Sequence, residues 1–277
     1  MNKRSKFSDE NFKNKCVDLF KKGVKSKDIS KQLNISKTAL IRNLDLLGYN
    51  FDRSVSMQKY NLNRNYFKKI DSFEKAYWLG LIYADGSNKI YNNTFVLGLK
   101  KEDSYILNIL QNVLLTDVPI KMRKAITENH SDFHRLEIYN KELCLDLLSH
   151  GVMENKTSIL KKPNIEENLI FSFIRGYFDG DGSICTTTNL KGHRKDSITF
   201  TGTREIVDFI SGFLKNKLNI NCCLYERHPD RDNNNYTISI NGRLNVIKLC
   251  DEMYKNKSNH FFVRKYERYL KIKNRYE

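Results

Sequence analysis

The sequence predicts an α+β protein, in which two pseudo-symmetric αββαββα halves follow a small all-α helix-turn-helix domain. Three observations predict it. The stretch Tyr77-Trp78-Leu79-Gly80-Leu81-Ile82-Tyr83-Ala84-Asp85-Gly86-Ser87 has an echo at Ile174-Arg175-Gly176-Tyr177-Phe178-Asp179-Gly180-Asp181-Gly182-Ser183, and the two glycines Gly80 and Gly176 lie 176 − 80 = 96 residues apart. Helix-like and strand-like segments follow each copy in the same order. Ahead of the first copy stands a group of short, capped, polar helical segments that the repeat does not include.

Composition narrows the function. The chain has 277 residues, room for two or three compact units, and its 40% hydrophobic content supports ordinary cores. A formal charge of +16 marks a polyanion binder, with DNA or RNA as the default partner. Twelve per cent aromatic residues (12%) argue against a disordered basic tail. The cysteines Cys16, Cys144, Cys185, Cys222, Cys223 and Cys250 show no CxxC spacing, so reduced thiols of a cytosolic protein are expected, not a zinc site. With no secretory signal and no apolar run of membrane-spanning length, the expectation is a soluble, cytoplasmic monomer with no membrane partner.

Residues 1–56 read as the helical domain. Ser8 caps a helix to about Lys22, ended by Gly23; Ser26 opens a second to Leu33; Ser36 caps a third that Gly48 stops. Two short helices around the turn Asn34-Ile35 give a helix-turn-helix pattern, with Ser36, Lys37, Thr38 and Arg42 facing a major groove. Residues 57–70 form a basic linker. The first half, 71–163, opens on Asp71 as N-cap with Glu74 three residues on. Strands at 88–91 and 94–99 follow, then a helix at 103–115, strands near 120–126 and 133–139, and a helix at 141–149. The second half, 164–277, opens on Asn164 as cap and repeats the order: strands near 183–188 and 197–201, helix 204–218, strands 221–227 and 236–240, and helix 244–254. A last helix near 262–271 has no counterpart.

The two repeated stretches carry the chemistry. Gly80/Ala84 and Gly176/Gly180 form small-residue stripes on helices that are otherwise apolar all round. Glycine inside a helix costs about 1 kcal/mol against alanine, so such stripes imply close backbone approach between the two helices. Each stripe ends in Asp-Gly, and Gly86 and Gly182 suit the left-handed residue that often ends a helix. Asp85 and Asp181 then stand at helix C-termini, where negative charge is disfavoured, and adjacent helices bring them together. Divalent metal relieves both problems and suits phosphodiester hydrolysis.

Both stretches resemble the signature of the LAGLIDADG homing endonucleases, in their single-chain, two-motif form. The first departs from it at Tyr83, where the first acid usually lies. The resemblance covers roughly residues 71–270 and implies a site-specific endonuclease that hydrolyses both strands of a long, non-palindromic DNA site. Mg²⁺, as two or more ions, would sit between Asp85, Asp181, the carbonyls of Ala84 and Gly180, and DNA phosphates. It also implies one basic residue per half beyond the last strand and helix, matched here by Lys156 and Lys257 at offsets 156 − 85 = 71 and 257 − 181 = 76. DNA contact would come from the sheet faces and hairpins, through Lys121, Arg123, Lys191, Arg194, Lys195, Arg227 and Arg231. Two other readings stand beside it: a maturase that assists splicing of intron RNA, and a non-cleaving transcriptional regulator.

Overall fold

The computed structural model describes residues 7, 9–21, 24–47, 60–123, 132–154, 156–227, 234–258 and 260–275. Ser8, Gly23, Gly48, Arg231 and the first three residues of the basic linker, 57–59, lie outside the described residues. The chain divides into two compact units, 1–62 and 63–277.

The first unit holds three short helices: α1 (Glu10–Lys21), α2 (Ser26–Gln32) and α3 (Lys37–Leu46). Cys16, Val17, Ile29, Leu33, Ile35, Leu40 and Leu44 form its buried core. Asn34 takes a positive φ of 49° between α2 and α3, a conformation that asparagine tolerates better than most residues. Ser36 caps α3 by accepting from the Ala39 N–H at 3.2 Å.

The second unit repeats one pattern twice. Its first half runs α4 (Phe73–Asp85), β1 (Gly86–Lys89), β2 (Thr94–Lys100), α5 (Tyr105–Val113), β3 (Lys121–Arg123), β4 (Phe133–Tyr139) and α6 (Lys141–Ser149). Its second half runs α7 (Ile170–Asp181), β5 (Gly182–Thr188), β6 (Arg194–Gly202), α8 (Arg204–Leu218), β7 (Cys223–Glu226), β8 (Tyr236–Asn241) and α9 (Arg243–Tyr254), followed by α10 (Val263–Lys273). Each half has a four-stranded antiparallel sheet, ordered β1-β2-β4-β3 and β5-β6-β8-β7. Alternation sends Leu97, Leu136 and Ile138 of one sheet, and Ile198, Phe200, Ile238 and Ile240 of the other, into the core.

Helices α4 and α7 pack against each other where their glycines allow it. A Cβ added at Gly80 would stand 2.0 Å from the Phe173 carbonyl oxygen, and one at Gly176 1.9 Å from that of Tyr77. Adding 96 to Tyr77 gives Phe173, so the two contacts are one contact seen from both sides of the pseudo-dyad. Further along, a Cβ at Gly180 would meet the Ala84 Cβ at 2.2 Å.

Three local expectations change. The cap of α4 is Ser72, which accepts from the Lys75 N–H at 3.2 Å, while Asp71 pairs with Lys75 at 2.9 Å. Asn164 does not cap α7; a 3₁₀ turn, Glu167–Leu169, leads into it with no side-chain cap. Gly86 and Gly182 are extended, at φ −82° and −92°. They are small because a Cβ would strike the helix end, 2.6 Å from the carbonyl of Ile82 or of Phe178. No helix among the described residues is long and apolar enough to cross a membrane.

The glycine contact makes a signed prediction. Gly176→Ala should overpack backbone against backbone and lower stability by about 1–3 kcal/mol. Gly212→Ala, within α8 with open space around it, should raise stability by about 0.5–1 kcal/mol. Thermal melts of the two variants test this; equal shifts would refute the close contact.

Candidate active site at the paired helix ends

The pairing of α4 and α7 brings Asp85 and Asp181 to neighbouring helix ends. A Cβ at Gly180 would lie 2.9 Å from Oδ2 of Asp85, so the carboxylate of one half rests on the backbone of the other. Both acids are open to solvent on one side. On the remaining sides protein replaces water, and this desolvation, with Asp181 as a like charge, pushes Asp85 up to about 7. Desolvation raises Asp181 as well, against the pull of Lys156 and Lys265.

Those two lysines are buried at the same place, 8% and 3% exposed. Lys156 Nζ donates to the Ala84 carbonyl at 3.3 Å and to the Gly86 carbonyl. Lys265 Nζ, in the first turn of α10, donates to the carbonyls of Asp179 at 2.7 Å and Gly182 at 2.6 Å, and to that of Phe178. Each ammonium thus caps the C-terminal carbonyls of one motif helix and faces the negative end of its dipole. Burial lowers both, Lys265 to about 8.

Lys156 therefore reaches the site and Lys257 does not. Lys257 is exposed and lies over the rings of Phe261 and Tyr266, 5.5 and 5.0 Å from their centroids. The second half's lysine is Lys265, at an offset of 265 − 181 = 84, because an extra segment precedes α10. The Ala84 carbonyl, expected to hold metal, instead accepts from the Lys156 ammonium. Gly180 sits at the helix contact itself.

Tyr83 and Asp179 occupy equivalent places, 179 − 83 = 96, yet do different work. Tyr83 donates to the His150 carbonyl at 2.5 Å within the first half. Asp179 is fully buried and Oδ2 accepts from the Tyr77 hydroxyl and the Phe262 N–H, both at 2.9 Å, tying the first half to the second. Arg175 stacks over the Tyr77 ring at 4.9 Å and donates to the Met253 carbonyl at 3.1 Å. The sequence signal for Asp179 is its place two residues before the terminal acid in the second motif; for Lys265 there is none.

Around this centre the other candidates lie apart. Lys191, Arg194, Lys195 and Arg227 are exposed on the second sheet's hairpins. Arg275 anchors the first of these hairpins, bonding Asp196 and Thr186 at 2.9 Å. Arg123 is exposed, and Lys121 pairs with Glu137 at 2.7 Å. In the first unit Lys37, Thr38 and Arg42 are exposed along α3, while Ser36 serves its cap.

Residues 168–254 match the family model described as a LAGLIDADG-like domain. The homing endonuclease I-GzeII, solved in complex with a DNA target, superposes with a TM-score of 0.51 at 10% identity, over 72% of this chain and 88% of its own. The chain has the LAGLIDADG fold. Two more homing endonucleases are similar. I-LtrWI, bound to target DNA, is 14% identical over 76% of this chain and 91% of its own, TM-score 0.48. I-WcaI, bound to its recognition sequence, is 17% identical over 82% and 96%, TM-score 0.47. No curated protein sequence matches the chain.

The oxygen-only pair Asp85 and Asp181 fits a divalent cation. Two like charges in a desolvated corner are relieved by one, and hard carboxylate oxygens suit Mg²⁺. Two predictions follow from the charges here. With the folded pKa of Asp85 raised, the native state holds its proton more tightly than the unfolded chain, so stability falls as pH rises from about 4 to about 7. In the absence of divalent ions Asp85→Asn should melt above the parent at pH 8 and level with it near pH 4. An unchanged melting difference across that range would contradict the shift. Separately, Lys265→Met leaves three helix-end carbonyls without their ammonium and should cost about 2–4 kcal/mol. Lys257→Met should stay within about 0.5 kcal/mol. Denaturant midpoints decide; a reversed order would restore Lys257.

Proposed function

We propose that this protein is a metal-dependent, site-specific DNA endonuclease of the homing type. The observation that carries the reading is the pair Asp85/Asp181, raised together at the ends of the two dyad-related helices and flanked by two buried ammonium groups. A group of acids retained for structure alone would have no reason to meet there, since each destabilises the other and its own helix end.

In this reading Asp85 and Asp181 hold Mg²⁺, which when bound lowers the pKa of water and neutralises charge on a scissile phosphate. The pseudo-dyad supports a division of labour in which one acid serves each strand. Lys156 and Lys265 donate hydrogen bonds to backbone carbonyls, so they act by holding the helix ends and by offsetting carboxylate charge, not as bases. Gly180, by admitting Asp85 against the opposite helix, keeps the two acids close enough to share cations. The exposed cations Arg123, Lys191, Arg194, Lys195 and Arg227 supply phosphate contacts, and the charge of +16 predicts binding that weakens steeply with salt. Residues 1–56, with Lys37, Thr38 and Arg42 on the open side of α3, act as a helix-turn-helix that lengthens the contacted site. The protein works as a monomer, because one chain supplies both halves.

Asp85→Asn and Asp181→Asn test this directly. Each keeps the side chain's size but removes its charge, so each should abolish or greatly slow Mg²⁺-dependent cleavage while duplex binding stays equal or tightens. On the same substrate, removing residues 1–56 should shorten the protected footprint and spare cleavage. A parent protein that binds duplex yet never cuts it with Mg²⁺ would turn the reading to a regulator, and preference for structured RNA over duplex would turn it to a maturase.

A further inference from the structure

The registers make the two sheets comparable position by position. Leu97 faces Gly86 and Leu136, as Phe200 faces Gly182 and Ile238. Counting from these anchors, Lys121, Arg135 and Glu137 of the first sheet correspond to Tyr225, Thr237 and Ser239 of the second. Arg135, Glu137, Thr237 and Ser239 alternate with core residues and so lie on the face turned away from the helices, and Lys121 and Tyr225, paired directly with Arg135 and Thr237, share it.

On the first sheet that face is charged and internally organised. Glu137 Oε2 accepts from Lys121 Nζ at 2.7 Å and lies 3.4 Å from Arg135 Nη2, while Oε1 accepts from the Tyr139 hydroxyl at 2.8 Å. Glu137 is the least exposed of the three charged groups, at 13% against 50% for Lys121 and 37% for Arg135. The carboxylate is the hub and the cations project past it. On the second sheet the same three positions carry a phenol and two hydroxyls. Thr237 is within 3.1 Å of the Thr201 hydroxyl, and Ser239 donates to Asn241 at 3.2 Å.

Resting on the endonuclease reading, we propose that the two halves read their half-sites by different chemistry. In the first, Arg135 and Lys121, positioned by Glu137, select guanine; in the second, the uncharged hydroxyls at the matching positions tolerate base changes. Guanine offers two adjacent acceptors in the major groove, N7 and O6, and arginine or lysine is their usual partner. Serine and threonine pair with acceptors or donors alike and discriminate little. The carboxylate argues for bases over phosphates as the target of the two cations. A patch that grips phosphate would leave its cations free, whereas a central anion repels the backbone yet is compatible with base edges that present donors. It also orders two long side chains before DNA arrives, sparing part of the rotamer entropy that binding would otherwise cost.

The test is selection of bound duplexes from a pool with a randomised centre, using the full chain without divalent metal, followed by titration of single-base changes. The expected sites are lopsided. At one end guanine is fixed, and replacing it weakens binding roughly tenfold to a hundredfold; at the other end most changes are nearly silent. Glu137→Ala should do two opposite things: bind random duplex more tightly, since a net negative charge is gone, and flatten the preference at the guanine end alone. A merely structural Glu137 would lower both quantities together. Glu137→Gln, which keeps the size, accepts from Lys121 through its one carbonyl oxygen and guards against a folding artefact, should fall between parent and Glu137→Ala. Sites equally informative at both ends, or a preference unchanged in both variants, would overturn the proposal while leaving the endonuclease reading intact. Failure to select any duplex would overturn both.

Discussion

Everything in the larger unit depends on two helices touching backbone to backbone. At Gly80 and Gly176 there is no space for even one carbon, since an added Cβ would stand about 2 Å from a carbonyl oxygen of the opposite helix. That approach gives the two halves a common axis and sets the separation of the sheets that hang from it. It also puts the last residues of both helices side by side. Were the helices held apart by ordinary side chains, the interaxial distance would be the usual 8–10 Å, and Asp85 would no longer rest against Gly180.

Bringing helix ends together concentrates negative charge. Two carboxylates and two sets of unpaired carbonyls meet in one corner, and each is unfavourable beside the others. The chain answers with buried lysines, one per half, delivered from outside the repeat's strands and helices. Lys156 comes from the segment after α6, and Lys265 from the first turn of α10. Their ammonium groups satisfy the carbonyls, while desolvation and the like charge of Asp181 keep Asp85 raised.

The pseudo-symmetry holds in element order and sheet topology and is loose in chemistry. Tyr83 and Asp179 share a place, but one bonds a carbonyl in its own half while the other joins the halves through Tyr77 and Phe262. The buried Arg175 has Leu79 as its counterpart, 175 − 79 = 96. Such divergence is what a single chain permits: once both halves are covalently joined, neither side of the interface has to be complementary to itself.

Much of this was written in local pattern. The paired Gly-rich stretches, the alternation within β4 and β8, and helices such as α6 and α8 follow from periodicity and punctuation that neighbouring residues determine. Both acids were legible too, because Asp-Gly at the end of an apolar helix is a local oddity. Caps were less legible: Ser72 and Asp71 are both good N-caps one residue apart, and only the helix's packing selects between them. Gly86 and Gly182 looked like positive-φ residues and are instead extended, since what excludes a side chain there is the preceding helix turn. Sequence pointed to Lys257, three residues after α9, and held no signal for Lys265, eleven residues after it. Tertiary structure decided it, by swinging Lys257 out over two aromatic rings and burying Lys265 against three carbonyls. Sequence by itself determined which residues could carry charge to the dyad; burial and partners, which belong only to the folded chain, decided which ones arrive.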